Sequence, residues 1–80
     1  MIGELDRVVL TDDLPEFGLA RGDIGTAVLV YREGVGYEVE FVALTGETVA
    51  VVSVRADQVR PVGRREIANA RPLAGLAAAG

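Results

Sequence analysis

Between Tyr37 and Val42 apolar and charged positions alternate without a break: Tyr37, Val39 and Phe41 fall on one parity, Glu38 and Glu40 on the other. A period of two is the pattern of a half-buried antiparallel strand, one face in a core and the other in water. Ile24 to Tyr31 is also β-forming but apolar on both parities, with Thr26, Val28 and Val30 on one and Ala27, Leu29 and Tyr31 on the other. This predicts a central, bent strand, with Gly25 supplying the bend or a close approach of backbone. Arg32-Glu33-Gly34-Val35-Gly36 between the two segments reads as a hairpin loop.

Glu4 to Leu10, ending at Thr11-Asp12-Asp13, predicts a first strand, and Thr48 to Val54, entered through Thr45-Gly46, predicts a fourth. Leu14 to Asp23 carries apolar Leu14, Phe17 and Leu19 but is punctuated by Pro15, Gly18 and Gly22, as expected of a structured loop lying across the mouth of a core. Arg55 to Gln58 suits a single 3₁₀ turn, and Val59 to Val62 a brief last strand that Pro61 places at an edge. The expected core is Val28, Val30, Val39, Phe41, Val49 and Val51 with Leu10 and Val59; Thr48, Ala50, Val52 and Val54 form the competing face of the fourth strand.

Five short strands, a long first loop, two tight hairpins and a one-turn helix before the last strand give the element order of an SH3-like barrel. The expected fold is therefore all-β: a small five-stranded antiparallel SH3-like barrel over residues 1–62, followed by a flexible Ala/Arg-rich tail over 63–80. No apolar period of 3.6 residues precedes residue 62, and a sandwich needs more strands than 80 residues provide. In the tail, Ile67, Leu73 and Leu76 would make a narrow stripe if helical, but Pro72 and Gly75 interrupt it.

The aromatic share of 5% leaves Val, Leu, Ile and Ala to fill the interior, and the absence of cysteine leaves burial as the source of stability. Charged residues scattered through positions 1–20 argue against a signal peptide or a membrane span, so a cytoplasmic location is expected. Residues 1–62 hold five Arg against eleven acids, net −6, whereas 63–80 hold three Arg and one acid, net +2. An acidic body works against general binding to phosphates, and the tail should be drawn weakly onto it.

The chain has no His, Cys, Lys or Trp, which removes imidazole relays, thiol nucleophiles and Schiff bases. Ser53, the single serine, sits in a strand with no base beside it and reads as a sheet residue. Asp12, Asp13, Glu16 and Asp23 concentrate carboxylates around the first loop, but their spacing fits no calcium loop; Asp12 and Asp13 suit an Asx-type turn, and Asp23 suits capping its own turn. Gly22, Gly25, Gly34, Gly36 and Gly46 precede no helix and so make no phosphate cradle. No catalytic residue, metal or cofactor is expected, and the chain is not expected to be an enzyme.

The strings Asp13-Leu14-Pro15-Glu16-Phe17-Gly18-Leu19, Gly22-Asp23-Ile24-Gly25-Thr26 and Tyr37-Glu38-Val39-Glu40-Phe41 resemble a family of small bacterial proteins known as a domain of unknown function. The likeness spans roughly residues 4 to 62 and leaves the tail outside. It implies the barrel and a bacterial cytoplasmic setting, and some such proteins look like the partner half of toxin–antitoxin gene pairs.

Two functions are expected from these observations. The first is a non-catalytic protein-binding module, the antitoxin, immunity or adaptor partner of an adjacent-gene protein, using Glu38, Glu40, Arg32, Arg64 and Arg65. The second is a small barrel contacting nucleic acid or the ribosome through Arg55, Arg60, Arg64, Arg65 and Arg71. Pairing of exposed strand edges into a homo-oligomer is a further expectation.

Overall fold

A computed structural model describes residues 1–73. Five strands form one antiparallel sheet: β1 (Arg7–Leu10), β2 (Ile24–Val30), β3 (Gly36–Val42), β4 (Thr48–Arg55) and β5 (Val59–Pro61), in the spatial order β4-β3-β2-β1-β5. Short 3₁₀ turns occupy Pro15–Phe17, Arg32–Gly34 and Ala56–Gln58. The ladder ends at β4 on one side and β5 on the other, so among the described residues strand pairing leaves the sheet open. The first strand starts later than its apolar pattern suggests because Leu5 takes a positive φ of 71° in a turn that the Asp6 carboxylate closes on the Gly3 N–H at 2.8 Å.

The core gathers Val8 and Leu10 from β1, Ala27 from β2, Tyr37, Val39 and Phe41 from β3, Val52 and Val54 from β4, and Val59 from β5. Leu14 and Leu19 close it from the first loop, where their backbones exchange hydrogen bonds of 2.9 and 3.1 Å around the Pro15–Phe17 turn. Gly18 ends that turn at φ 71°, a left-handed conformation that a side chain would oppose. Gly25 pairs with Val8 and faces the interior; a Cβ there would lie 2.5 Å from Val39 Cγ1 and 2.9 Å from Phe41 Cε1. The close approach of backbone expected at this glycine is thus the packing of β3 side chains into the space its missing side chain leaves.

Two expected core residues are corrected. The register of β2 against β3 slips between Ala27 and Leu29, which makes Val28 an extra residue. Ala27 therefore points inward, Val30 packs against the core from the far side of the bulge, and Val28 is 36% exposed. A second slip, between Phe41 and Val42, pairs them with Ala50 and Thr48 and leaves Val49 as the extra residue. Beyond it Val52 and Val54 face in and Val51 faces out at 54% exposure, so the competing face of β4 is the buried one. Leu10, Val39, Phe41 and Val59 are buried as expected, and Val30 and Val49 are partly so.

From Val62 to Leu73 the chain has no helix or strand. Arg60 holds Glu66 through both guanidinium nitrogens at 2.8 and 2.6 Å, and Arg71 reaches across to Asp23 at 2.8 and 2.5 Å and to the Gly18 carbonyl at 3.1 Å. The first pair joins a base of β5 to the tail's one acid, and the second joins a tail arginine to an acid of the first loop. Ile67 is exposed and Leu73 half-buried; Leu76 and the rest of the tail lie outside the described residues.

Gly25→Ala is expected to destabilise the fold by about 1–3 kcal/mol through overpacking against Val39 and Phe41. Phe41→Ala should cost about 3–5 kcal/mol, whereas Val51→Ala should stay within about 0.5 kcal/mol. Urea denaturation of the three variants checks the order, and a large loss at Val51 would overturn the orientation of β4.

Candidate functional site

The open side of the sheet carries a groove. It is lined by Val52 to Arg55 of β4, by Leu14, Glu16 and Phe17 of the first loop, by Tyr31 and Val35 of the β2–β3 connection and by Gly36 at the start of β3. Its volume is about 430 Å³. Phe17 and Val35 stand at its flanks 45% and 65% exposed, although both are large apolar residues of structured turns. The Pro15–Phe17 turn explains the first: it buries Leu14 and Leu19 as a pair and turns the intervening ring away from the core. The second lies in a connection where Glu33 and Gly34 both take positive φ, 62° and 67°.

Beside the groove, on the outer face, Tyr31, Glu38 and Ser53 form a cluster. Glu38 pairs with Ser53 across β3 and β4, so both side chains leave the same face. The Ser53 and Tyr31 hydroxyls both donate to the Glu38 Oε2 and lie 3.0 Å from each other. These two bonds, Ser53 first, hold the Glu38 carboxyl below its ordinary range against a small desolvation effect. Two residues further along β3, Glu40 accepts from the Thr48 hydroxyl at 2.8 Å. The chemical capacity of this face is to present two acidic side chains side by side along β3.

Glu38 and Glu40 thus share the face expected of them, but among the described residues neither contacts Arg32, Arg64 or Arg65. Arg32 is exposed in the β2–β3 connection, and Arg64 and Arg65 follow β5 at the opposite end of the sheet order. Of the later arginines, Arg55 pairs with Asp57 at 3.1 Å, Arg60 with Glu66, and Arg71 with Asp23. Phe17, Tyr31 and Ser53 were not singled out from the sequence as site residues. Tyr31 and Ser53 are 22 residues apart and meet only through the strand register, so no local pattern marks them.

The first-loop carboxylates are structural in two of four cases. Asp13 accepts the Arg21 N–H at 2.9 Å across the loop neck rather than capping its own turn. Asp23 accepts the Ala20 N–H at 2.8 Å, as its position suggested, and also takes Arg71. Burial pushes the Asp23 carboxyl up, but the Arg71 bonds and the Ala20 N–H outweigh it, so the net shift is downward. Among the described residues no group of three or more His, Cys, Asp or Glu is placed to hold a metal ion. No helix among them is long and apolar enough to cross a membrane.

These features define a small all-β module with an open groove at one edge of its sheet and an acidic outer face. The chain belongs to the family described as Domain of unknown function (DUF4926), whose model matches residues 4–61. No curated protein and no solved structure matches it.

The two carboxylates that fasten the tail have depressed values, so the attachment each contributes is complete above its ordinary pKa and is lost as pH falls through its folded pKa. For Glu66, held down to about 2 by Arg60 and by the Gly63 N–H, that window runs from 4.5 to about 2; for Asp23 it opens below 3.8. Carboxyl titration by NMR should place both midpoints below their ordinary values. Arg71→Gln should return Asp23 upward without moving Glu66, and coincident movement of both would show that the two attachments are not independent.

Proposed function

We propose that this chain is a non-catalytic, cytoplasmic module that recognises another protein, as the antitoxin, immunity or adaptor partner of an adjacent-gene product. The observation that carries this reading is the groove along β4, flanked by Phe17 and Val35. Exposed aromatic and aliphatic side chains held on structured turns offer anchor contacts of the kind protein interfaces use. The acidic Glu38 and Glu40 beside them favour a partner with basic side chains and raise its rate of encounter.

The same reading treats the sheet as an incompletely closed SH3-like barrel. The strand order β4-β3-β2-β1-β5, the long first loop and the 3₁₀ turn before β5 support it. Contact with nucleic acid or the ribosome is less well supported, because Arg60 and Arg71 are each held at two points by a carboxylate. A guanidinium already neutralised releases fewer counterions when it meets a phosphate.

Calorimetry against the proteins encoded on either side of this gene tests the proposal. One of them is expected to bind, and Phe17→Ala to weaken that binding by about tenfold or more while leaving the fold intact, since a hot-spot truncation costs about 2 kcal/mol. Binding to nucleic acid alone, with a steep salt dependence, would remove the reading. Turnover on hydrolase or transferase substrates that is lost on mutating Glu16 or Glu38 would remove its non-catalytic part.

A further inference from the structure

The two ends of the sheet are unequal. β5 has three residues, and Pro61 among them has no N–H to offer, which blunts that edge. β4 has eight residues, Thr-Val-Ala-Val-Val-Ser-Val-Arg, with no proline, no lysine and a single charge at its end. The Val49 bulge disturbs its start, whereas Ala50 to Arg55 runs in regular pairing with β3. In that ladder the Val35 carbonyl accepts from Ala56 at 3.1 Å, and the Gly36 carbonyl turns the other way, to the Tyr31 N–H on the β2 side at 2.9 Å. Alternation along an antiparallel strand then aims the N–H and C=O of Val54 and Val52 at β3 and those of Val51, Ser53 and Arg55 at the open edge. Of these, the Arg55 N–H is taken by the Gln58 side chain at 2.8 Å. The Val51 and Ser53 groups and the Arg55 carbonyl remain at the open edge.

We propose that this edge pairs with the β4 edge of a second copy of the chain, antiparallel, with Ser53 opposite Ser53 across a two-fold axis. In that register each Ser53 N–H meets the Ser53 carbonyl of the other copy, and each Val51 N–H meets the other copy's Arg55 carbonyl. The same pair directs the Arg55 N–H at the other copy's Val51 carbonyl, so the exposed Gln58 side chain gives up its bond to Arg55 and that carbonyl takes its place. All pairs fall within the regular part of β4, clear of the Val49 bulge.

Charge fixes this occupant and register. Val51 lies between Glu40 on β3 and, in the dimer, Arg55 of the second copy on the same outer face. Two strand spacings put the Glu40 and Arg55 backbones about 10 Å apart, within the combined reach of the two side chains. Within one chain Glu40 has no cationic partner among the described residues. Arg55 is held only by Asp57, in a pair whose side chains are 69% and 75% exposed, so it is free to exchange partners. The stem of Arg55 would also cover Val51, the outward valine that the monomer leaves in water. This inference does not depend on the partner proposed above, although a foreign strand laid in the groove would compete with it.

Sedimentation equilibrium of the full chain is expected to give a concentration-dependent dimer. Arg55→Glu and Glu40→Arg should each raise the dissociation constant by about tenfold, and the double variant should restore it to within about threefold. The chain contains no cysteine, so Ser53→Cys introduces a lone thiol. Directly opposed residues in a hydrogen-bonded antiparallel pair lie about 5.5 Å apart at Cα, so this variant should cross-link to a dimer on mild oxidation. Val51→Cys should not, because its mate in this register is more than about 10 Å away. A chain that stays monomeric to millimolar concentration, cross-linking through Val51→Cys but not Ser53→Cys, or a double charge variant no tighter than either single one would overturn the proposal. Circular dichroism on each variant separates loss of pairing from loss of fold.

Discussion

The interior is organised around a side chain that is not there. Gly25 and Ala27 are the inward positions of β2, and between them they leave room for the Val39 side chain and the Phe41 ring of β3 to lie over the β2 backbone. Volume given up on one strand is taken by its neighbour, which keeps the small core filled without a second aromatic layer. The curvature that this packing demands has a visible cost in register: both ladders flanking β3 contain a bulge, one at Val28 and one at Val49. Bulges increase local twist and bend the strand that carries them. Their consequence for function is that β4 leaves the second bulge with Val52 and Val54 facing in and Val51 and Ser53 facing out, on the face that carries Glu38 and Glu40.

Strand existence was legible because it depends on local chemistry. The alternation Tyr37 to Phe41 survives intact, as do the turns at Gly34 and Gly46 and the single 3₁₀ turn before β5. What was not legible is parity beyond a bulge. Thr-Val-Ala-Val-Val-Ser-Val offers apolar residues on both faces, and nothing in that string says that Val49 is the extra residue. That choice is made by β3, which pairs Phe41 with Ala50 and Val42 with Thr48. The same limit applies to the site. Glu38 and Glu40 could be assigned to an outer face from period alone, but the hydroxyls that bond Glu38 come from Tyr31, just past the end of β2, and from Ser53 on β4. The Asp23–Arg71 contact joins positions 48 residues apart and is a matter of where the chain returns.

The arginines divide by what surrounds them. Arg55, Arg60 and Arg71 meet carboxylates, and the last two fasten the chain beyond β5 back onto itself and onto the first loop. Arg60 and Arg71 each engage both oxygens of one carboxylate, a fork-to-fork geometry that lysine cannot provide. These pairs are at least partly exposed, so their worth lies in placing the segment rather than in adding much stability. Asp23 shows how the placement is built. Its carboxylate already accepts the Ala20 N–H that shapes the loop, and the oriented group then receives Arg71. Loop and tail are therefore joined through Asp23, with the Gly18 carbonyl as a further acceptor for Arg71.

The surface left over for recognition is mostly main chain. Along β4 the groups that a strand added at the open edge must satisfy are the N–H and C=O of Val51 and Ser53, which any extended segment without proline can meet. Selectivity must then come from what stands on either side: Phe17 and Leu14 on the flank nearer the core, Glu38 and Glu40 on the outer face. Side chains of an added strand alternate between those two environments, so the preferred occupant alternates apolar with basic or small polar residues. Its own β4 partly meets that description, with valines inward and Ser53 and Arg55 outward. The chain therefore carries within one strand both a docking edge and a segment able to occupy it, and a foreign partner has to exceed the second copy in charge or in apolar contact to displace it.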